Sequence, residues 1–229
     1  MTTNDRYLEV VYNAEDRPFT RYPDLLARHL VDKFSLVSGQ TVLDVGCGRG
    51  EFLRGFVRCG LLGSGVDQSS IAEAICPLPT QIQTADLESE PLPFLDDTFD
   101  VVFSKSVIEH FYYPEKLVLE TKRVLRPGGI VITMCPDWEA NYRIFFEDYT
   151  HRTPFTTTSL RDIQLIHGFE EVTSEKFVQL PSVWQHSYLM PISSAVRYMC
   201  PVALKRKSKF VRFSKEIMLL SSARKPHAA

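Results

Sequence analysis

The sequence predicts an α/β protein with a doubly wound, seven-stranded, mostly parallel sheet whose last strand is antiparallel. Short apolar runs with β-branched residues alternate with stretches of helical period, which is typical of right-handed strand–helix–strand units. A turn with glycines at positions 46, 48 and 50 joins the first apolar run to an amphipathic helix. The 229 residues suit one domain that needs no disulfide bonds to bury a sufficient core.

The order of apolar runs and capping residues predicts the individual elements. The strands are expected at Thr41–Val45, Leu62–Val66, Gln81–Thr84, Phe99–Ser104, Ile130–Cys135, Glu171–Leu180 and Lys215–Arg224. Helices are expected at Pro18–Phe34, Glu51–Arg58, Ser69–Ile75 and Pro114–Leu125, and from Ser159, with Asp162 as its capping-box partner, to a stop at Gly168. Arg126-Pro127-Gly128-Gly129 predicts a turn before the fifth strand, and an insertion at 181–212 separates the last two strands.

Composition predicts a cytoplasmic protein. No run of about 18 apolar residues is present, and residues 1–12 lack the apolar core of a signal peptide. The five cysteines have no metal-site spacing, so we expect reduced thiols rather than a zinc site or a disulfide framework.

Charge is distributed unevenly along the chain. The net charge is −2, but residues 197–225 contain nine Lys and Arg against one acid and carry +8, which leaves −10 on the remainder. A basic end of this kind could make a weak contact with an anionic substrate, a membrane surface or nucleic acid, or it could be a solvated face.

The glycine turn carries the most specific signal, Val42-Leu43-Asp44-Val45-Gly46-Cys47-Gly48-Arg49-Gly50. A dinucleotide fingerprint would have a third glycine where Glu51 stands, and a tight turn without a ligand is the simpler interpretation. The nine residues resemble motif I of the class I S-adenosylmethionine-dependent methyltransferases, which have a Rossmann-like fold. The resemblance implies that Gly46, Cys47 and Gly48 bind S-adenosylmethionine, and that Asp44 takes its ammonium group or holds the glycine loop.

Two acids follow the next strands. Gly65-Val66-Asp67 resembles motif II of that family, which implies that Asp67, with Gln68 beside it, binds the ribose hydroxyls; a helix cap is the alternative. At Ala85-Asp86-Leu87, the resemblance implies an acid facing the adenine amino group and a neighbour packed on the ring. A surface turn is the alternative there.

The resemblance covers about residues 37–132. Phe99–Ser104 resembles motif IV, which implies that Ser104 lines the methionine part of the cofactor, and Glu109-His110 resembles a pair that braces the following loop. We therefore expect one domain over 1–229. It would comprise a helical cap at 1–36, a cofactor-binding half at 37–135 and a substrate-side half at 136–229.

Catalytic residues should come from the loop after the fifth strand, because loops at strand carboxyl ends surround the ligand. His151 could deprotonate a hydroxyl, with Asp148 or Glu147 orienting it, or it could pack among aromatic side chains. The run Phe146-Glu147-Asp148-Tyr149-Thr150-His151-Arg152-Thr153-Pro154-Phe155-Thr156 resembles one in methyltransferases that tailor bacterial glycans and natural products.

The function predicted from these features is O-methylation of a small-molecule or glycan hydroxyl. N-methylation of an amine, methylation of tRNA or protein, and a non-catalytic cofactor-binding module remain open alternatives. Ser104-Lys105-Ser106-Val107 is not the tetrad of a DNA amino-methyltransferase, so DNA is not an expected partner. Only Glu109 lies near the end of the fourth strand, so no metal is expected.

Overall fold

The computed structural model describes residues 10, 18–70, 72, 81–186, 188–200 and 208–227. Of the predicted cap at 1–36, the structure describes residue 10 and residues 18–36. Most of the helix predicted at Ser69–Ile75 also lies outside the described residues. The strands are β1 (Thr41–Val45), β2 (Leu62–Asp67), β3 (Gln81–Thr84), β4 (Phe99–Lys105), β5 (Leu125–Pro136), β6 (Glu170–Phe177) and β7 (Met218–Arg224). The helices are α1 (Tyr22–Lys33), α2 (Glu51–Arg58), α3 (Pro114–Val124), α4 (Trp138–Asn141), α5 (Thr157–Ile166), α6 (Pro181–Gln185), α7 (Leu189–Met199) and α8 (Lys209–Lys215).

The seven strands form one sheet in the order β3-β2-β1-β4-β5-β7-β6. Strands β1 to β5 are mutually parallel where they pair, and β7 is antiparallel to both β5 and β6. The predicted α/β class and the antiparallel last strand are confirmed. Because the order reverses direction at β1 and β4, their carboxyl ends flank the crevice in which open α/β sheets bind ligands.

Both faces of the sheet are buried, and successive residues of each central strand point to opposite faces. On one face, Val102 and Val131 pack with residues of α3 and α5. On the other face, Phe103 and Ile132 pack with residues of α1 and α2. This burial explains why the central strands are continuous apolar runs rather than alternating ones.

Strand β5 begins five residues earlier than predicted. The Arg126-Pro127-Gly128-Gly129 segment continues the strand, with the Gly128 N–H donating to the Lys225 carbonyl and the Lys225 N–H donating to the Gly129 carbonyl. Gly128 has a φ of 78°, and the register between β4 and β5 shifts at this point. The predicted turn is therefore an irregular strand end, because pairing with the chain after β7 satisfies its backbone groups.

Other boundaries also differ from the prediction, and the first helix starts at Tyr22 instead of Pro18. Helix α5 starts at Thr157 with a reciprocal capping box between Thr156 and Ser159, whereas Asp162 pairs with Arg161 at the surface. Strand β7 starts at Met218 because residues 209–215 form α8, whose N-terminal Ser208 side chain accepts from the Val211 N–H. Strand β6 ends at Phe177, beyond which the chain turns into the insertion.

Among the described residues, the structure contains no helix long and apolar enough to span a bilayer.

We expect Phe103→Ala to lower the free energy of unfolding by about 3–5 kcal/mol. Phe103 is fully buried in β4, and its ring centroid lies 5.0 Å from that of Phe56 and 5.9 Å from that of Phe52. Denaturant unfolding measures the change. Leu95→Ala, at a side chain that is 83% exposed, is the control and should stay within about 0.5 kcal/mol of the parent.

Candidate active site

The glycine loop after β1 depends on a backbone that other residues rarely adopt. Gly46, Gly48 and Gly50 have φ values of 72°, 48° and 68°, all in the left-handed region. A Cβ atom at Gly46 would overlap a methyl group of Val107, which follows β4. The Gly46 and Cys47 N–H groups donate to the Val66 carbonyl at 2.8 and 3.1 Å. The loop is thus held against the ends of β2 and β4.

Asp67 at the end of β2 fixes the far side of this loop. Its carboxylate accepts hydrogen bonds from the Gly48 N–H at 2.8 Å and the Ser69 N–H at 2.9 Å. Burial raises its pKa, while these N–H groups and that of Gln68 oppose the rise. The carboxylate therefore holds the glycine loop and the chain after β2, beside the place where the ribose is expected; the helix that it would cap lies mostly outside the described residues.

Asp44 lies almost fully buried at the end of β1. Among the described residues, no group donates a hydrogen bond to its Oδ2 atom. Burial, with the nearby charge of Asp67, raises the pKa of Asp44 well above its ordinary value, and the Leu53 N–H opposes this. A buried acceptor without a donor fits a cationic group of a ligand, such as the ammonium predicted from the sequence.

The other predicted cofactor residues have different surroundings. Cys47 and Leu87 are both buried in the apolar core, and Gln68 is half-buried. Exposed Asp86 caps its own turn, accepting from Ser89 Oγ at 2.7 Å and the Glu88 N–H at 3.1 Å, and the Ser89 hydroxyl lowers its pKa. The predicted surface turn is present, and the adenine contact stays a prediction.

Ser104 is buried near the end of β4, where it pairs with Val45 and Thr133. Its side chain lines a small internal cavity with Thr121 and Gln164. The contact between Ser104 and the cofactor stays a prediction.

A short 3-10 turn, Ile108–His110, follows β4 and receives the loop from β5. The Glu109 carbonyl accepts from the Arg152 N–H at 2.8 Å and the Thr153 N–H at 3.0 Å. The Thr153 hydroxyl also donates to the Phe111 carbonyl at 2.8 Å. The Glu109 and Phe111 carbonyl groups thus hold the loop through its backbone and the Thr153 hydroxyl, and the His110 side chain also contacts the loop at Thr150.

His151 is oriented by a carbonyl group rather than by a carboxylate. Its Nδ1 atom lies 2.6 Å from the Phe145 carbonyl oxygen, and since that oxygen only accepts, Nδ1 carries the proton. In the neutral ring, Nε2 is then an acceptor. The His151 ring also packs on the Phe145 ring, with centroids 4.5 Å apart.

Asp148 is linked to His110 through the Thr150 hydroxyl. The Thr150 hydroxyl donates to Asp148 Oδ1 at 2.5 Å and lies 2.9 Å from His110 Nδ1, so it accepts from that nitrogen. Burial lowers the pKa of His110 to about 4, with the neighbouring His151 also lowering it. His110 is therefore neutral near pH 7, and its ring centroid lies 4.9 Å from that of His151.

Glu109 is the site residue whose importance the sequence did not indicate. It is 1% exposed, and neither carboxyl oxygen has a hydrogen-bond partner among the described residues. Burial raises its pKa to about 8, although N–H groups of the turn and the charge of Lys105 oppose the rise. Glu109 is therefore mostly protonated at neutral pH. The only signal in the sequence was the presence of an acid shortly after the predicted fourth strand.

Glu109, His110 and His151 also form a set that could hold a metal ion. The ligand atoms that they offer lie within 4.8 Å of one another. One carboxylate and two imidazoles are ligands that divalent transition metals accept. The structure thus places His110 and His151 beside Glu109, which was the one acid that the sequence placed near the end of the fourth strand.

Comparison with known proteins identifies the part of the chain that surrounds the glycine loop. Residues 43–133 match the family model described as a methyltransferase domain. The matched segment is similar to methyltransferase domains and makes up less than half of the chain. The match runs from β1 through most of β5 and includes the glycine loop, Asp67 and the Glu109-His110 turn.

The chain is similar to a protein named for S-adenosylmethionine dependence. A Mycolicibacterium smegmatis protein named a probable S-adenosylmethionine-dependent methyltransferase is 31% identical over 162 residues. The aligned part is 69% of this chain and 59% of that protein, so the chain spans less than two thirds of its relative.

Solved structures share the fold of residues 43–133 and of the strands around them. A chain of a complex containing the Haloferax volcanii Trm112 methyltransferase activator superposes with a TM-score of 0.73 at 21% identity, covering 99% of each chain. A Haemonchus contortus phosphoethanolamine N-methyltransferase, solved with S-adenosylhomocysteine, gives 0.69 at 17% identity. The match covers 99% of this chain and 61% of that one.

We expect Asp67→Ala to weaken S-adenosylhomocysteine binding by about 1.5–3 kcal/mol, the scale of hydrogen bonds to a charged group. The variant should also lose the preference for S-adenosylhomocysteine over its 2′-deoxy analogue. A loss of loop support alone would weaken both ligands equally, so this preference reports on the ribose contact. Calorimetry measures both affinities. Asp162→Ala, at the surface of α5, should change neither affinity, and an unchanged preference in the Asp67 variant would rule out the ribose contact.

We expect the free energy of unfolding of the parent to fall as pH rises when it is compared with that of Glu109→Gln. The pKa of Glu109 is about 8 in the folded state, whereas its ordinary value is 4.5. Its contribution to the free energy of unfolding is therefore fully present below pH 4.5 and is lost as pH rises towards 8. The difference in free energy of unfolding should change by about 1.4 kcal/mol per unit between about pH 5 and pH 8. Denaturant titrations test this, and parallel pH profiles would contradict it.

Proposed function

We propose that the protein transfers a methyl group from S-adenosylmethionine to a hydroxyl of a small-molecule or glycan acceptor, with His151 as general base. The observation that carries the proposal is the hydrogen bond from His151 Nδ1 to the Phe145 carbonyl. It leaves Nε2 as the acceptor that a general base requires. The cofactor loop lies near, because Gly46 packs on Val107, which immediately precedes the turn that carries Glu109 and His110.

Methyl transfer requires few further groups from the protein. The sulfonium of the cofactor already activates the methyl group, so the protein must align the acceptor, exclude water and remove one proton. A hydroxyl gains from a base, whereas an amine has its own lone pair, and this favours oxygen as the acceptor atom. His151 would take the hydroxyl proton on Nε2 as the bond from oxygen to the methyl carbon forms and the sulfur–carbon bond breaks.

Neutral neighbours support this role for His151. His110 is held by Thr150 and Asp148 and has a pKa of about 4, and protonated Glu109 carries no charge. Asp148 supplies a negative charge through Thr150 that would favour a positive charge on the histidine pair after proton transfer. The proposed compartment is the cytoplasm, where the thiols of Cys47, Cys59, Cys135 and Cys200 stay reduced.

We expect His151→Ala to lower kcat by about 10²–10⁴ without changing the affinity for S-adenosylmethionine, because a general base contributes on that scale. His167→Ala is a matched control. That histidine is also half-buried and holds a carbonyl, that of Ile163, through Nδ1, but it lies at the end of α5. The acceptor is first found by mass spectrometry against nucleotide sugars and glycan fragments.

Two outcomes would contradict the proposed role. Near-normal turnover of the His151 variant would make the residue a packing group and favour an amine acceptor. Loss of wild-type activity with a chelator, restored by a divalent metal, would assign the Glu109, His110 and His151 set to metal binding in place of a base.

A further inference from the structure

The side chains of Glu109, His110 and His151 meet where the turn after β4 receives the loop after β5. The ligand atoms that they offer lie within 4.8 Å of one another, and the two imidazole centroids are 4.9 Å apart. The backbone fixes this arrangement, because the Glu109 carbonyl accepts hydrogen bonds from the Arg152 and Thr153 N–H groups. The three side chains are therefore brought together by the fold itself.

The Glu109 carboxyl group is the observation that points to a cationic ligand. The residue is 1% exposed, and neither of its carboxyl oxygens has a hydrogen-bond partner among the described residues. Burying such a group costs free energy, whereas a bound cation would satisfy both its charge and its lone pairs. The groups that accompany it are two imidazoles, and a transition-metal ion is the cation that this donor set accepts.

The hydrogen bond of His151 has the form found at metal-bound histidines. A ligating imidazole donates its other N–H group to a carbonyl or a carboxylate, which fixes the ring and its tautomer. The Nδ1 atom of His151 lies 2.6 Å from the Phe145 carbonyl oxygen, so Nδ1 carries the proton and Nε2 accepts. His151 is thus oriented to offer Nε2 as a ligand.

His110 has the carboxylate form of the same arrangement. Its Nδ1 atom lies 2.9 Å from the Thr150 hydroxyl, which donates to Asp148 Oδ1 at 2.5 Å. The Thr150 N–H also donates to that oxygen, at 3.0 Å. Asp148 therefore keeps the proton of His110 on Nδ1 and assigns Nε2 to the metal. Its negative charge also offsets part of the charge of a divalent cation.

We propose that Glu109, His110 and His151 form a binding site for Zn²⁺ or a similar divalent transition-metal ion. Two imidazoles and one carboxylate are the protein ligands of known types of zinc site, and they leave a fourth position for water. Mg²⁺ and Ca²⁺ prefer oxygen ligands. Tetrahedral zinc holds its ligand atoms about 3.3 Å apart. The side chains would therefore move together by up to about 1.5 Å on binding.

Metal binding would exclude the chemistry proposed for His151. A metal ion on Nε2 occupies the lone pair that would take the hydroxyl proton, so the metal-bound protein lacks a base at that position. Zn²⁺ should therefore inhibit methyl transfer, and a chelator should restore it. This consequence rests on the proposed function, whereas the metal site itself does not.

Titration of the full chain with Co²⁺, which substitutes for Zn²⁺ and absorbs visible light, tests the site. One Co²⁺ should bind per chain, without the near-ultraviolet charge-transfer band of a cysteine ligand, and Zn²⁺ should displace it. Glu109→Gln and His151→Ala should each lower the Co²⁺ affinity more than 100-fold, because each variant removes a ligand. Asp148→Ala should lower it about 10–100-fold, the scale for a group that orients a ligand.

His167→Ala is the matched control and should leave the Co²⁺ affinity unchanged. That histidine also holds a carbonyl, that of Ile163, through Nδ1, but it lies at the end of α5. Circular dichroism confirms that each variant is folded. Absence of Co²⁺ and Zn²⁺ binding, binding that Glu109→Gln and His151→Ala leave intact, or a cysteine charge-transfer band would overturn the site. Binding at the site with methyl transfer that Zn²⁺ raises would support the site and contradict His151 as the base.

Discussion

The close contact between Gly46 and Val107 is the constraint on which the site depends. Gly46 has a left-handed φ and no room for a side chain, so the loop after β1 can lie directly on the chain after β4. The turn of Glu109 and His110 begins one residue beyond Val107, and its carbonyl receives the loop that carries His151. One contact thereby joins the cofactor loop to the residues proposed to act on the acceptor.

Asp44 and Glu109 are buried carboxyl groups that lack full hydrogen bonding within the described residues. Asp44 lies near the end of β1 and Glu109 lies at the turn after β4, and burial raises the pKa of each. Burying an acid without partners costs free energy that a protein could avoid with an apolar residue. Such groups gather at functional sites, and here each lies on one side of the Gly46–Val107 contact.

The position of β7 explains how the fold accommodates a long insertion. Strand β7 lies between β5 and β6, so the chain leaves the sheet at its edge and must return to an inner position. The cluster around Ile217 and the Asn141 hydrogen bond close the base of the insertion. Helix α7 packs Leu189 against this cluster and makes polar contacts with α8, while Met190, Ile192, Tyr198 and Met199 remain exposed.

The sequence by itself determined the α/β class, the glycine loop and the positions of most strands. Their signals are local: β-branched runs, glycines with special φ values and acids at strand ends. Only the tertiary structure decided that Asp148 is hydrogen-bonded to His110 through Thr150 and that the Phe145 carbonyl fixes the proton of His151 on Nδ1. It likewise decided that the Glu109 carboxyl group is buried with no hydrogen-bond partner in the described part of the chain. It also decided that the Arg126–Gly129 segment is a strand end and that α7 exposes its apolar face. These outcomes depend on contacts between residues distant in the chain, and neither periodicity nor spacing contains the burial and hydrogen-bond partners that such contacts create.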